Sequence, residues 1–208
     1  VHLFLSQGGY LKKITPQSLR MASEQKYKDG DGPGQQWEAD NQDELMVFTD
    51  KQQCYKTFLS EFDDSKASIL GDYLPTKLGM DADEKVLWAC LPGDYSGDLV
   101  FFFENGKAAR VAFSDKSPVV KVLWLKEDQD LAVGADSGKT VLFDSSLLAA
   151  KSTRAAQGVG VLTLKKGQKL AWAAMVGETH IKRIARYRVR NIPAAGVNLI
   201  GVDTATDQ

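Results

Sequence analysis

Residues 134–140, Gly-Ala-Asp-Ser-Gly-Lys-Thr, are the stretch of this 208-residue chain nearest to a known catalytic loop. A glycine-rich loop ending in Gly-Lys-Thr cradles nucleotide phosphates, but it needs four residues between its glycines and a helix behind it. Three residues intervene here, and Val141-Leu142-Phe143 follows, a strand-like run. The stretch therefore reads as a hairpin turn. Asp29-Gly30-Asp31-Gly32 hints at a calcium loop but lacks the third acidic ligand and the later glutamate. His2 and His180 stand apart from any Cys or His that would complete a metal site. Cys54 and Cys90 lack metal-ligand spacing and are expected to be free, buried thiols of a reducing compartment. No Gly-x-Ser-x-Gly occurs. Nothing proposes a nucleophile or a general base.

Basic residues offer a different chemistry, the neutralisation of phosphates. Lys12, Lys13, Lys56, Lys107, Arg110 and Lys139 all fall on or just after polar turns. Lys182, Arg183, Arg186, Arg188 and Arg190 form the densest cluster. On a strand, residues 182, 186, 188 and 190 would share one face; a helix–loop tail is the competing local reading.

The elements that must carry these residues are repeated hairpins. Residues 3–14, 46–58, 99–111 and 131–143 each give an apolar strand, a polar turn and a basic or aromatic strand. Repetition at such a period marks a propeller-like array, whose units bury their apolar faces on one another. Trp37, Trp88 and Trp124 precede the turns at Gln52, Gly106 and Gly138, and three tryptophans share a pattern: KVLWACL, KVLWLKE and KLAWAAM. The repeat predicts that the four tryptophans occupy equivalent, largely buried positions. Residues 15–36 lack apolar periodicity and are expected to form a long exposed loop. The turn-to-turn spacing falls to 32 residues between Gly106 and Gly138, against 43 and 54 earlier. That deficit predicts a break or disordered loop near Asp115 and Lys116.

A formal net charge of -1 excludes a uniformly basic nucleic-acid binder without excluding local patches. No apolar run reaches the roughly 18 residues of a membrane span. The N-terminus begins in mid-pattern and reads as that of an excised domain.

These segments resemble the C-terminal β-pinwheel domain of the A subunit of bacterial type IIA topoisomerases, the gyrase A and topoisomerase IV family. Residues 46–55 (MVFTDKQQCY) resemble the strand-and-turn part of the family repeat, with Gln52 where glycine is usual. Residues 153–161 (TRAAQGVGV) resemble its later Gly-Arg-x-x-x-Gly-Val part through Arg154, Gly158 and Val159. Residues 25–34 (QKYKDGDGPG) correspond to the loop that carries gyrase's wrapping box. They keep Lys26 and Lys28 but place Asp29 and Asp31 where further cations would help.

The resemblance implies an all-β, propeller-like β-pinwheel of about four blades, roughly 1–45, 46–98, 99–130 and 131–208, forming one accessory domain. It implies non-specific binding and bending or wrapping of double-stranded DNA. The site residues would be Lys12, Lys13, Lys26, Lys28, Lys56, Lys107, Arg110, Lys139, Arg154, Lys182, Arg183, Arg186, Arg188 and Arg190, with Asp29 and Asp31 opposing. Expected partners are the topoisomerase catalytic core and its ATPase subunit, in the cytoplasm on the nucleoid. No cofactor is expected in this domain; ATP and magnesium belong to the parent enzyme, whose catalytic tyrosine lies elsewhere. The rival reading is a protein-interaction platform that works through Asp43-Glu44 and Asp83-Glu84.

Overall fold

A computed structural model describes residues 1–111, 116–150 and 157–205. The chain divides into two compact units, Val1–Tyr95 and Ser96–Gln208. Of the break expected near Asp115 and Lys116, Asp115 lies outside the described residues.

The first unit contains β1 (His2–Ser6), β2 (Tyr10–Ile14), α1 (Pro16–Met21), β3 (Pro33–Glu38), β4 (Glu44–Thr49), β5 (Cys54–Phe58), β6 (Asp72–Tyr73), α2 (Leu74–Lys77) and β7 (Val86–Cys90). The second contains β8 (Asp98–Phe103), β9 (Lys107–Arg110), β10 (Val119–Leu125), β11 (Asp130–Ala135), β12 (Lys139–Asp144), β13 (Val159–Gly160), β14 (Leu170–Met175), α3 (Ile184–Tyr187) and β15 (Val197–Asn198). Among the described residues these strands make four antiparallel sheets, ordered β3-β1-β2-β6, β5-β4-β7, β10-β8-β9-β13 and β14-β11-β12-β15. The fold is all-β and propeller-type, as the repeat predicts.

One plan underlies the sheets. Each sheet is built on a hairpin, closed by a bond from the turn: Gly9, Gln52, Gly106 and Gly138 donate their N–H to Ser6, Thr49, Phe103 and Ala135. A later strand, β3, β7, β10 or β14, then returns to flank the hairpin's first strand. In every sheet the residue two before the turn residue donates to the carbonyl preceding that returning strand: Gln7 to Gly32, Asp50 to Lys85, Glu104 to Pro118, Asp136 to Lys169. In three sheets a two-residue strand completes the other edge. It enters through Gly71, Gly158 or Gly196, where a Cβ would lie 2.4–2.5 Å from the carbonyl oxygen of Leu11, Ala108 or Thr140. Val159 of the family-like motif is thus the first residue of an edge strand. Alternation drives the burial, with Leu3 and Leu5, Leu45 and Val47, and Leu131 and Val133 in the apolar cores of their own units.

The tryptophans all lie on these returning strands, so each belongs to the hairpin before it, not the one after. Trp172 therefore has its hairpin too. Trp88 pairs with Phe48 and Trp172 with Gly134, at equivalent register, but Trp37 pairs with Leu3 and Trp124 with Leu99. The second KVLW segment, Lys121–Trp124, has slid along a longer strand, with a bulge between Val119 and Lys121. All four rings are half-buried rather than largely buried, because strands at a sheet's edge have neighbours on one side only.

Residues 15–36 are not one loop. Thr15 caps α1, accepting from the Ser18 N–H, with Pro16 at the first turn, and β3 begins at Pro33. The turn residue Gln52 sits at φ 60°, where Gly9, Gly106 and Gly138 sit at 94°, 82° and 91°. A side chain there is strained. Gln52→Gly is expected to stabilise the protein by roughly 0.5–1 kcal/mol, read as a shifted denaturation midpoint; a lower midpoint would refute the strain.

Candidate nucleic-acid interface

Of the fourteen residues read as a basic surface thirteen are described, and the structure corrects several. Lys12 and Lys13 are 3% and 4% exposed, not surface residues. The Lys12 ammonium donates to the carbonyls of Lys26 and Ala67, both at 3.1 Å, and burial holds its pKa below the ordinary lysine value. Lys13 donates to Asn41 Oδ1 at 2.6 Å and to the Leu59 carbonyl at 3.0 Å. Both cations are consumed by the fold.

Arg110 behaves like Lys13. Each lies four residues after its turn glycine, and each reaches the first residue of the short 3-10 turn that follows the next hairpin, Leu59 or Ser145. The Arg110 guanidinium donates to Asp98 and Asp128 at 2.8 Å each and to the Ser145 carbonyl at 3.1 Å. The hydrogen bond to Asp128, then that to Asp98, raise the Arg110 pKa against the opposing effect of burial. The Asp128 carboxyl is correspondingly held below its usual range by Arg110 first and Ser145 second. These two cations staple neighbouring sheets within each unit.

The 182–190 cluster is not a strand ribbon. Residues 184–187 form one helical turn, the competing reading, and the basic side chains splay. Arg183 donates to the Ile200 carbonyl at 3.1 Å, and Arg188 donates to Asp130 at 3.1 Å. Lys182, Arg186 and Arg190 stay exposed. Arg154 lies outside the described residues.

Lys26, Lys28, Lys56 and Lys139 are exposed, and Lys107 is half-buried. Lys56 stands 4.9 Å over the Tyr95 ring. In the second unit the turns are laced together: Leu170 N–H donates to Glu104 at 3.0 Å, Leu162 N–H to Gly106 at 3.2 Å, and Asp136 Oδ1 accepts from Lys169 N–H at 3.1 Å. Lys107, Lys139, Lys165, Lys166 and Lys169 lie on or beside these laced turns, with Lys169 Nζ 3.5 Å from Glu104 Oε2. The last three, all exposed, escaped the sequence reading. Their signal was the Lys-Lys-Gly-Gln-Lys turn just before a tryptophan strand.

Two further expectations change. Cys54 is an exposed thiol on β5, whereas Cys90 is buried and its pKa pushed up to about 12 by that burial. Glu84 is no surface acid: it is 3% exposed and accepts from the Thr49 and Tyr55 hydroxyls at 2.7 and 2.9 Å. Asp83 is engaged by Lys51. Among the described residues, no helix is long and apolar enough to cross a membrane.

With this geometry in place, likeness to solved structures decides the fold. The C-terminal domain of DNA topoisomerase IV superposes with a TM-score of 0.73 at 21% identity, covering 86% of this chain and 62% of that one. The Escherichia coli ParC C-terminal domain gives 0.70 at 15% identity, covering 98% and 95%. The DNA gyrase A C-terminal domain gives 0.63 at 17%, covering 94% and 75%. The fold is that of the gyrase A and topoisomerase IV C-terminal domains. The resemblance read from the sequence holds. In sequence, the DNA topoisomerase 4 A chain of Staphylococcus epidermidis is 25% identical over 186 residues, 79% of this chain. The chain spans only 23% of that relative's length. No family model matches. In the second unit exposed lysines lie at the turns beside the returning strands, and the most buried of the described cations serve the scaffold.

Proposed function

We propose that this domain binds double-stranded DNA without sequence preference and bends or wraps it, as an accessory part of the A chain of a type II topoisomerase. The observation that carries the reading is the group of exposed lysines at the laced turns of the second unit, on a gyrase-type fold. Lysines on a surface neutralise phosphates and release counterions, giving affinity without base readout. Bending a 20–30 base-pair site costs on the order of 1–6 kcal/mol, so several such contacts must act together. No residue here is assigned catalysis. The partners this role requires are the catalytic core and the ATPase subunit, and its location is the nucleoid. The interaction-platform rival is weakened, since one of its acids is buried and another is paired.

The test is duplex binding by the isolated domain across a salt series. Replacing Lys139, Lys165 and Lys166 together by glutamine is expected to weaken binding equally for unrelated sequences and to reduce the salt slope by about 2–3. A parent domain without salt-dependent binding, or a triple variant with an unchanged slope, defeats the proposal.

A further inference from the structure

A cleft of about 440 Å³ opens between the 25–34 loop and the first hairpin, lined by Gln7, Tyr10, Lys28, Asp29, Asp31 and Tyr73 among others. Its wall is a pair of stacked tyrosines, Tyr10 on β2 and Tyr73 on β6, with ring centroids 4.9 Å apart and planes inclined by 29°. Tyr73 remains 42% exposed, although a large ring at a sheet edge could have been buried. An exposed aromatic face beside a lysine is the arrangement that takes an unpaired base, by stacking, together with its phosphate.

The cleft is pre-formed. Lys12 fixes the Lys26 carbonyl, and Lys26 N–H donates to Ala67 at 2.8 Å. At the other end Asp31 Oδ1 accepts from the N–H groups of Gly8 and Gly32, both at 2.7 Å. Little ordering is therefore left for a ligand to impose. Burial alone would raise the Asp31 pKa, but Ser6, the N–H groups of Gly32 and Gly8, and the Lys28 charge together hold it low. Asp31 therefore stays ionised with Oδ1 committed to the loop's own backbone, and Lys28 is the exposed cation at the mouth that can meet a phosphate.

We propose that this cleft receives one unpaired nucleotide, its base stacked on Tyr73 and its phosphate near Lys28. Bases within a duplex already stack on their neighbours, so the domain would prefer bulged or locally opened DNA over perfect duplex. This rests on the DNA-binding reading and adds a preference that basic turns alone cannot supply.

The test compares two hairpin oligonucleotides at one salt concentration, one fully paired and one with a single-nucleotide 2-aminopurine bulge. The bulged DNA should bind roughly tenfold tighter, towards the lower end of base–aromatic stacking, with quenching of the 2-aminopurine fluorescence. Tyr73→Leu should abolish both the preference and the quenching while duplex affinity persists, and Tyr10→Phe should keep them. Equal affinity for the two DNAs overturns the cleft assignment but leaves duplex binding standing, as does a preference that survives Tyr73→Leu. Capture of an arginine-containing peptide by the cleft without any bulge preference would assign it to a protein partner instead. Failure to bind either DNA removes both readings.

Discussion

Arg110→Gln should lower the melting temperature by roughly 4–8 °C, corresponding to about 2 kcal/mol, and leave the salt slope of DNA binding untouched. The carboxylate partners are partly exposed, Asp98 by 34% and Asp128 by 48%, so the ion pairs themselves contribute little. The larger loss comes from the Ser145 carbonyl, at a residue with no exposure, which would lose its cationic donor. Lys13→Gln should behave alike through the Leu59 carbonyl, since the two cations hold equivalent positions in separate units. Acid should narrow the Arg110 difference. The Asp128 carboxyl is depressed in the folded protein, so its contribution is complete above the unfolded carboxylate value and disappears as pH falls through the folded one. Calorimetry beside a salt titration decides the matter. A slope reduced by one with an unchanged melting temperature would make Arg110 a phosphate contact after all.

How much of this was legible in the sequence follows from the range of each interaction. The hairpins were readable because a tight turn is a local event: glycine two residues after Asp136, with apolar alternation on either side, suffices. The tryptophan phase was half readable. Lys85–Trp88 and Lys169–Trp172 do fall in register, but Lys121–Trp124 keeps the motif while its strand slides, and register is a pairing property that one strand does not encode. The edge strands were invisible because two residues carry no period; only their glycines mark them. Side-chain depth was the largest loss. Lys12 and Lys13 both look like surface residues beside a turn, and only the arrival of Ala67 and Leu59 from distant segments makes carbonyl sockets for them. Lys165 and Lys166, in contrast, were overlooked for want of a hairpin beside them in sequence, although the fold lays their turn against one.

The two aspartates of the 25–34 loop should part company. By charge alone both oppose DNA, and replacing both by lysine would strengthen binding. The structure separates them. Asp29 is exposed beside Lys28, so Asp29→Lys should tighten duplex binding and steepen the salt slope by about one. Asp31 instead closes the loop onto the first hairpin through Gly8 and Gly32. A Cβ at Gly8 would fall 2.7 Å from Asp31 Oδ2, so a side chain there would push the clamping carboxylate aside. Asp31→Lys removes the acceptor of both N–H groups, at a net cost of about 0.5–1.5 kcal/mol per hydrogen bond. It should release the loop and weaken binding despite the added charge. Asp31→Asn is the discriminating variant, because its amide oxygen can still accept both N–H groups after the charge is gone. Near-parent affinity for Asp31→Asn, with weakened binding for Asp31→Lys and Asp31→Ala, identifies a clamp. Tighter binding by all three would mean that Asp31 acts on DNA through its charge, and that the loop keeps its shape without it.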